Sequence, residues 1–172
     1  MNAAGTSLEV MTELRGPGAT DAFGRRLAML LRAGDLVVLS GALGAGKTTL
    51  TAGIGAALGV RGPVTSPTFV IARVHPSLAD GPALVHVDAY RLGGATELDD
   101  LDLDATLDES VTVVEWGEGL AEVLAEDRLE VRLERAASDD ARVVLVRPHG
   151  ARWVGVALRT TLLGAEQREL PE

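Results

Sequence analysis

Within "GALGAGKTT" (41–49), Gly41, four intervening residues and then Gly46-Lys47-Thr48 fit the pattern G-x-x-x-x-G-K-[ST]. These residue types suit a polyphosphate. Gly44 and Gly46 let the backbone turn with its N–H groups facing inward, around a β-phosphate. The start of the following helix adds unpaired amides and the positive end of its dipole. Lys47 carries a compact ammonium on a flexible stem that reaches β- and γ-phosphates together, where the wide fork of arginine does not fit. It is the only lysine among 16 basic residues, so a chain that uses arginine everywhere else keeps lysine here. Thr48 offers a hydroxyl to Mg²⁺. The competing reading, a chance glycine-rich turn, is disfavoured by the strand-like run before the motif and the helical run after it.

A phosphate loop needs an acidic partner for Mg²⁺ or for the attacking water, at the end of a neighbouring apolar strand. "LVHVD" ends at Asp88 and "VTVVE" ends at Glu115. One strand-end acid is as readily a solubility feature as a functional one; two beside a phosphate loop point to function. His86 reads as a packed strand residue. Guanine-specific relatives of such loops read the base with [NT]-K-x-D, which a chain with one lysine at 47 cannot contain, so ATP is favoured over GTP. "LSGAL" (39–43) lies on the loop itself and is not the LSGGQ signature of transporter ATPases. Phosphate transfer to a small molecule and nucleotide-dependent binding without turnover both stay open.

The elements that must hold these residues follow from periodicity. "LEVMTEL" (8–14) predicts a strand, broken by "RGPGA". A helix follows over 22–31, with Thr20 as its N-cap and Asp21 in its first turn. "LVVLS" (36–40) is a buried strand, and a helix runs from Lys47 to Leu58, ended by Gly59. Strands are expected at about 69–74, 83–90 and 111–116, and a short helix at "GLAEVLAE" (119–126). "LEVRLER" (129–135) and "ARVVLVRP" (141–148) read as antiparallel strands joined by "AASDD". The stretch 153–163 holds a last strand or helix. Strands interleaved with helices indicate an α/β fold with antiparallel strands toward the C-terminus.

Composition sets the outer bounds. The 172 residues suit one domain with frayed ends at about 1–6 and 165–172. There is no cysteine, which excludes a disulfide scaffold and a cysteine zinc site. A net charge of −9 argues against a chain that grips nucleic acid over a broad basic face by itself. No signal peptide or membrane-length apolar run is evident, so a cytoplasmic location without membrane contact is the expectation. The acidic stretch 97–109 lacks the glycine and final glutamate of a calcium loop. It reads instead as a solvated helix with Leu98, Leu101 and Leu107 inward. Arg91 suits either a phosphate contact or a surface salt bridge, and Trp153 suits core or interface.

Four motifs in order, "GALGAGKTT", "SPTF" (66–69), "HVDAYRL" (86–92) and "VEWGE" (114–118), resemble TsaE (formerly YjeE), the ATPase of the bacterial tRNA threonylcarbamoyladenosine pathway. The resemblance runs from about Thr20 to Arg142. It implies a P-loop NTPase-type, mostly parallel sheet flanked by helices. It also implies a weak, partner-dependent, Mg²⁺-requiring ATPase that works with TsaD and TsaB and meets tRNA only through that complex. Lys47 and Thr48 would hold triphosphate and Mg²⁺, with Gly44, Ala45, Gly46 and Thr49 lining the loop. Thr65 to Phe69 resemble a first switch segment that senses the γ-phosphate. Asp88 resembles the second switch acid needed for hydrolysis, Glu115 the Mg²⁺-associated acid, and Trp116 its neighbour near the nucleotide. Gly18 to Thr20 are similar to the stretch that meets the adenine; Asp139 and Arg142 match less specific positions. In one departure, Ala42 stands where relatives often carry an acid.

Overall fold

Three apolar runs without alternation, Leu36–Ser40, Ala83–Asp88 and Ser110–Glu115, are buried almost throughout, as strands covered on both faces must be. A computed structural model describes residues 9–67, 71–90, 92, 96–97, 100, 102–116, 119, 123–137 and 140–164. Its elements are β1 (Val10–Arg15), α1 (Gly16–Ala28), β2 (Leu36–Ser40), α2 (Lys47–Leu58), β3 (Ala72–His75) and β4 (Ala83–Asp88). They continue with α3 (Asp104–Leu107), β5 (Ser110–Glu115), β6 (Arg128–Arg135), β7 (Ala141–His149) and α4 (Leu158–Leu163).

The strands form one seven-stranded sheet in the order β1-β7-β6-β2-β5-β4-β3. The central run β6-β2-β5-β4 is parallel, and both flanks are antiparallel. The α/β expectation with a C-terminal antiparallel addition therefore holds; β1 and β3 extend the antiparallel character to both edges. Register places Asp88 of β4 beside Glu115 of β5, and Glu115 beside Leu39 of β2. All three carboxyl-terminal strand ends thus meet at one rim, where open α/β sheets place ligands.

On one face, Phe23 and Leu27 of α1 and Leu50 and Ile54 of α2 pack over Val37, Leu39, Val113 and Val131. Each such burial contributes about 1.5–3 kcal/mol. The two helices touch backbone to backbone: a side chain at Gly24 would strike the Leu50 carbonyl, and one at Gly53 the Asp21 carbonyl. The opposite face, with Leu36, Val38, Val85, Val87 and Val114, is covered by Leu103 and the partly buried Leu92 and Leu124. Among the described residues no helix is long and apolar enough to cross a membrane.

Several boundaries differ from the sequence expectation for local reasons. The first helix starts at Gly16 and ends at Ala28, with Arg15 at its N-cap and Pro17 in its first turn. Proline's fixed φ favours that position, and the Gly16 amide donates to the Asp140 carbonyl at 2.7 Å. Thr20 is therefore not an N-cap; it is buried within the helix, with Oγ1 donating to the Gly16 carbonyl at 3.4 Å. Asp21 pairs with Arg25 one turn on. The strand expected at 69–74 runs instead from Ala72 to His75, and residues 68–70 lie outside the described set. A continuous helix over 97–109 does not form: Asp102 takes φ 50°, and the helical turn α3 begins only at Asp104. Leu107 is buried as expected, while Leu98 and Leu101 lie outside the described residues, as do Arg91, most of 119–122 and the termini 1–8 and 165–172. The last element is a helix, and Trp153 is core, 1% exposed.

Candidate nucleotide site

The glycine loop leaves the end of β2 and enters α2 at Lys47, so the rim of the sheet and the start of a helix share one small volume. Gly46, the N-cap, has φ 108°, a left-handed conformation that a side chain would strain. At Gly41 an added Cβ would collide with the Leu133 carbonyl of β6. Both glycines are demanded by geometry, one by its dihedral and the other by a neighbouring strand.

Two cations hold the loop's carbonyls from opposite sides. Lys47 Nζ donates to the Gly41 and Ala42 carbonyls at 2.8 and 3.0 Å. Arg142 donates through Nε to the Ala45 carbonyl at 3.1 Å and through a terminal nitrogen to the Gly44 carbonyl at 3.5 Å. With carbonyls turned toward these cations, the amides of Gly44, Gly46, Lys47 and Thr48 find no acceptor among the described residues. That is the arrangement of an anion nest. The Lys47 ammonium also lies 4.1 Å from the centroid of the Trp116 ring. Burial pushes its pKa below the ordinary lysine value, although the carboxylates of Glu115 and Asp88 pull the other way.

The acidic side is a hydrogen-bonded chain. Thr48 Oγ1 donates to Glu115 Oε1 at 3.1 Å, and His86 Nε2 lies 2.7 Å from the same oxygen. Asp88 sits beside Glu115 across the strand pair. Its Oδ1 accepts from the Tyr90 amide at 3.0 Å, and its Oδ2 from Ser66 Oγ at 3.5 Å. Trp116 follows with φ 60°, unusual for a bulky residue, its amide donating to the Leu39 carbonyl and its ring 5.0 Å from that of Tyr90. Such strain concentrates where surrounding structure over-determines a functional position.

These residues line a cavity of about 510 Å³, with Gly44, Gly46, Lys47, Thr48 and Thr49 on one wall and Ser66, Asp88, Glu115 and Trp116 on the other. A second cavity of about 320 Å³ opens behind the loop, between Pro17, Thr20, Ala45, Thr49 and Arg142. The loop residues Gly44 to Thr49, Thr20, Ser66, Asp88, Glu115, Trp116 and Arg142 line these two cavities, whereas Gly18, Thr65 and Pro67 do not; Thr68, Phe69 and Asp139 lie outside the described residues. His86, read from the sequence as a packed strand residue, is buried in β4 as expected and in addition reaches Glu115. Its signal was the two-residue spacing to Asp88, which puts both side chains on one face of β4. Tyr90, 65% exposed against Trp116, and Arg142's grip on the loop also needed the fold.

Comparison with known proteins agrees with this architecture. Residues 14–144 match the family described as "Threonylcarbamoyl adenosine biosynthesis protein TsaE". A Streptomyces coelicolor protein named tRNA threonylcarbamoyladenosine biosynthesis protein TsaE is 70% identical over 134 residues, covering 76% of this chain and 90% of the relative. A Bacillus subtilis protein of the same name is 37% identical over 129 residues, covering 74% and 78%. The crystal structure of Bacillus subtilis YdiB superposes with a TM-score of 0.70 at 31% identity, over 88% of this chain and 93% of that one. The chain belongs to the TsaE family.

Proposed function

We propose that this protein binds ATP with Mg²⁺ across its glycine loop and hydrolyses it slowly as the nucleotide-driven component of tRNA N6-threonylcarbamoyladenosine synthesis. It would act in the cytoplasm as one domain, with TsaD and TsaB, and meet tRNA only through them. The observation that carries the reading is the placement of Lys47, Thr48 and Glu115 around one cavity, with Asp88 beside them.

The donor set fits Mg²⁺. Thr48 has a single hydroxyl hydrogen, and giving it to Glu115 leaves lone pairs for a hard cation, while Glu115 brings carboxylate oxygen to the same place. Thr48 and Glu115 would hold the ion, which when bound neutralises charge on the phosphate oxygens. Lys47 supports the triphosphate by leaving the Gly41 and Ala42 carbonyls for the β- and γ-oxygens, a charge-assisted exchange. Gly44, Gly46 and Thr49 would line the phosphates with amides, while Ala45 shapes the loop, its own amide donating to the Ala42 carbonyl at 3.0 Å. Asp88 orients the attacking water, its carboxylate held by the Tyr90 amide. The ribose and adenine lie over the second cavity against Thr20. Ser66, bonded to Asp88, ties the Thr65 to Phe69 segment to the γ-phosphate, so hydrolysis releases it and resets the complex.

Purified protein mixed with ATP, TsaD and TsaB tests this. Free phosphate should appear, stimulated by the partners, and co-purification should depend on ATP. Label passing to a small-molecule acceptor would replace this reading with a kinase.

A further inference from the structure

His86 is fully buried on β4, on a face that carries Leu84, Val111, Val113 and Leu39 together with His75 of β3 and, at the rim, Asp88 and Glu115. An aliphatic residue would fill that place without the cost of burying a polar ring. The imidazole instead reaches Glu115 Oε1 at 2.7 Å, from the core side, while Thr48 reaches the same oxygen from the loop side at 3.1 Å. A carboxylate has no hydrogen to give, so the contact places the ring hydrogen on Nε2. Nδ1 is buried with no hydrogen-bond partner among the described residues, which leaves the ring nothing else to do there.

We infer that His86 is a positioning residue: its Nε2–H clamps Oε1 of Glu115 and so fixes the carboxylate that shares the cation site with Thr48. The inference rests on the nucleotide reading above and adds a residue that touches neither nucleotide nor cation. Glu115 ends β5, just before the left-handed Trp116, so its backbone is set by the sheet. Its side chain, two methylenes longer than the backbone's reach, would keep several rotamers without a partner behind it. Hydrogen-bonded partners of ligating groups elsewhere set affinity for the ion by about 10- to 100-fold. The clamp is worth that much only when the ion is present, which separates it from a packing role.

The test uses the full chain and a non-hydrolysable ATP analogue, titrated calorimetrically with Mg²⁺ and, separately, with chelator. In His86→Leu the Mg²⁺ concentration at half-saturation should rise by about 10-fold or more, while affinity in chelator changes by less than about 3-fold. His86→Gln, which returns an N–H near the Nε2 position, should recover most of the Mg²⁺ dependence. His86→Asn, whose amide stays near Nδ1, should not. Imidazole ¹⁵N spectra of the nucleotide-free parent should show His86 as the Nε2–H tautomer. An unchanged Mg²⁺ midpoint in His86→Leu, equal losses with and without Mg²⁺, or an Nδ1–H tautomer overturns the inference. If His86→Leu does not fold, the Gln and Asn pair decides: equal Mg²⁺ midpoints in the two reject the clamp. A parent that binds no analogue removes the nucleotide reading and this one together, whereas binding by the parent with an indifferent His86 removes only this one.

Discussion

The two sides of the glycine loop are built from opposite chemistry. The larger cavity faces Asp88, Glu115 and two aromatic rings; the smaller faces Arg142, Asp140, Thr20 and small residues. On the first side the polar groups are held so that they stay available: Asp88 by a backbone amide, Glu115 by Thr48 and His86, and Lys47 by two carbonyls it can leave. On the second side Arg142 is committed to the loop itself, with hydrogen bonds to the Ala45 and Gly44 carbonyls. One side keeps its polar groups available to a ligand and the other braces the loop. Damage to the acids of the first side should therefore show in chemistry and metal dependence, damage to Lys47 in affinity as well, and damage to the second side in affinity alone.

Asp88→Asn should make the deepest cut, lowering partner-stimulated phosphate release by about 10²- to 10⁴-fold with ATP affinity nearly intact. A variant that loses binding in proportion would erase the distinction between the two sides. Lys47→Ala removes charge-assisted bonds worth about 1.5–3 kcal/mol, so calorimetry should find ATP about 10- to 100-fold weaker. Arg142→Ala should weaken ATP by about 3- to 10-fold, since Arg142 holds the loop carbonyls and acts on the nucleotide only through them, with an unchanged Mg²⁺ midpoint. A shifted midpoint would mean that Arg142 belongs functionally to the reactive side. Thr20→Val, on the same bracing side, should change affinity by less than about 3-fold because its 3.4 Å bond is within the helix.

The smallest effect is a pH dependence with a definite sign. Burial lowers the Lys47 pKa in the folded protein, so between that value and the ordinary one the unfolded chain binds more protons. Folding stability from this group is therefore present above the ordinary lysine value and lost as pH falls through the lowered one. ATP affinity runs the other way, since the phosphates need the ammonium, and should decline at a pH below the usual lysine range. In Glu115→Gln that decline should move lower still, because a carboxylate that raises the value has gone.

The glycine loop was legible because it is local. Gly41 to Thr49 are consecutive, and their meaning depends only on a strand before and a helix after, both readable from apolar periodicity. Asp88 and Glu115 were legible for a related reason: each ends an apolar run, although only the parallel pairing of β4, β5 and β2 puts those ends at one rim. The limits of α1 were not, because Pro17 and the Asp140 carbonyl outweighed the N-cap preference at Thr20. The acidic stretch was misjudged because a helical pattern cannot reveal a left-handed Asp102.

What the amino acids settled unaided was the chemistry on offer: a lone lysine in a glycine turn, a following hydroxyl, and two acids closing apolar segments. What required the folded molecule was partnership at a distance. His86 meets Glu115 across 29 positions of chain, and Arg142 meets Ala45 across 97. The spacing of His86 to Asp88 gives no more than a shared face, and Arg142 has no local signal at all, because each meeting is created by how strands align within the sheet, and that alignment is decided by packing both faces at once.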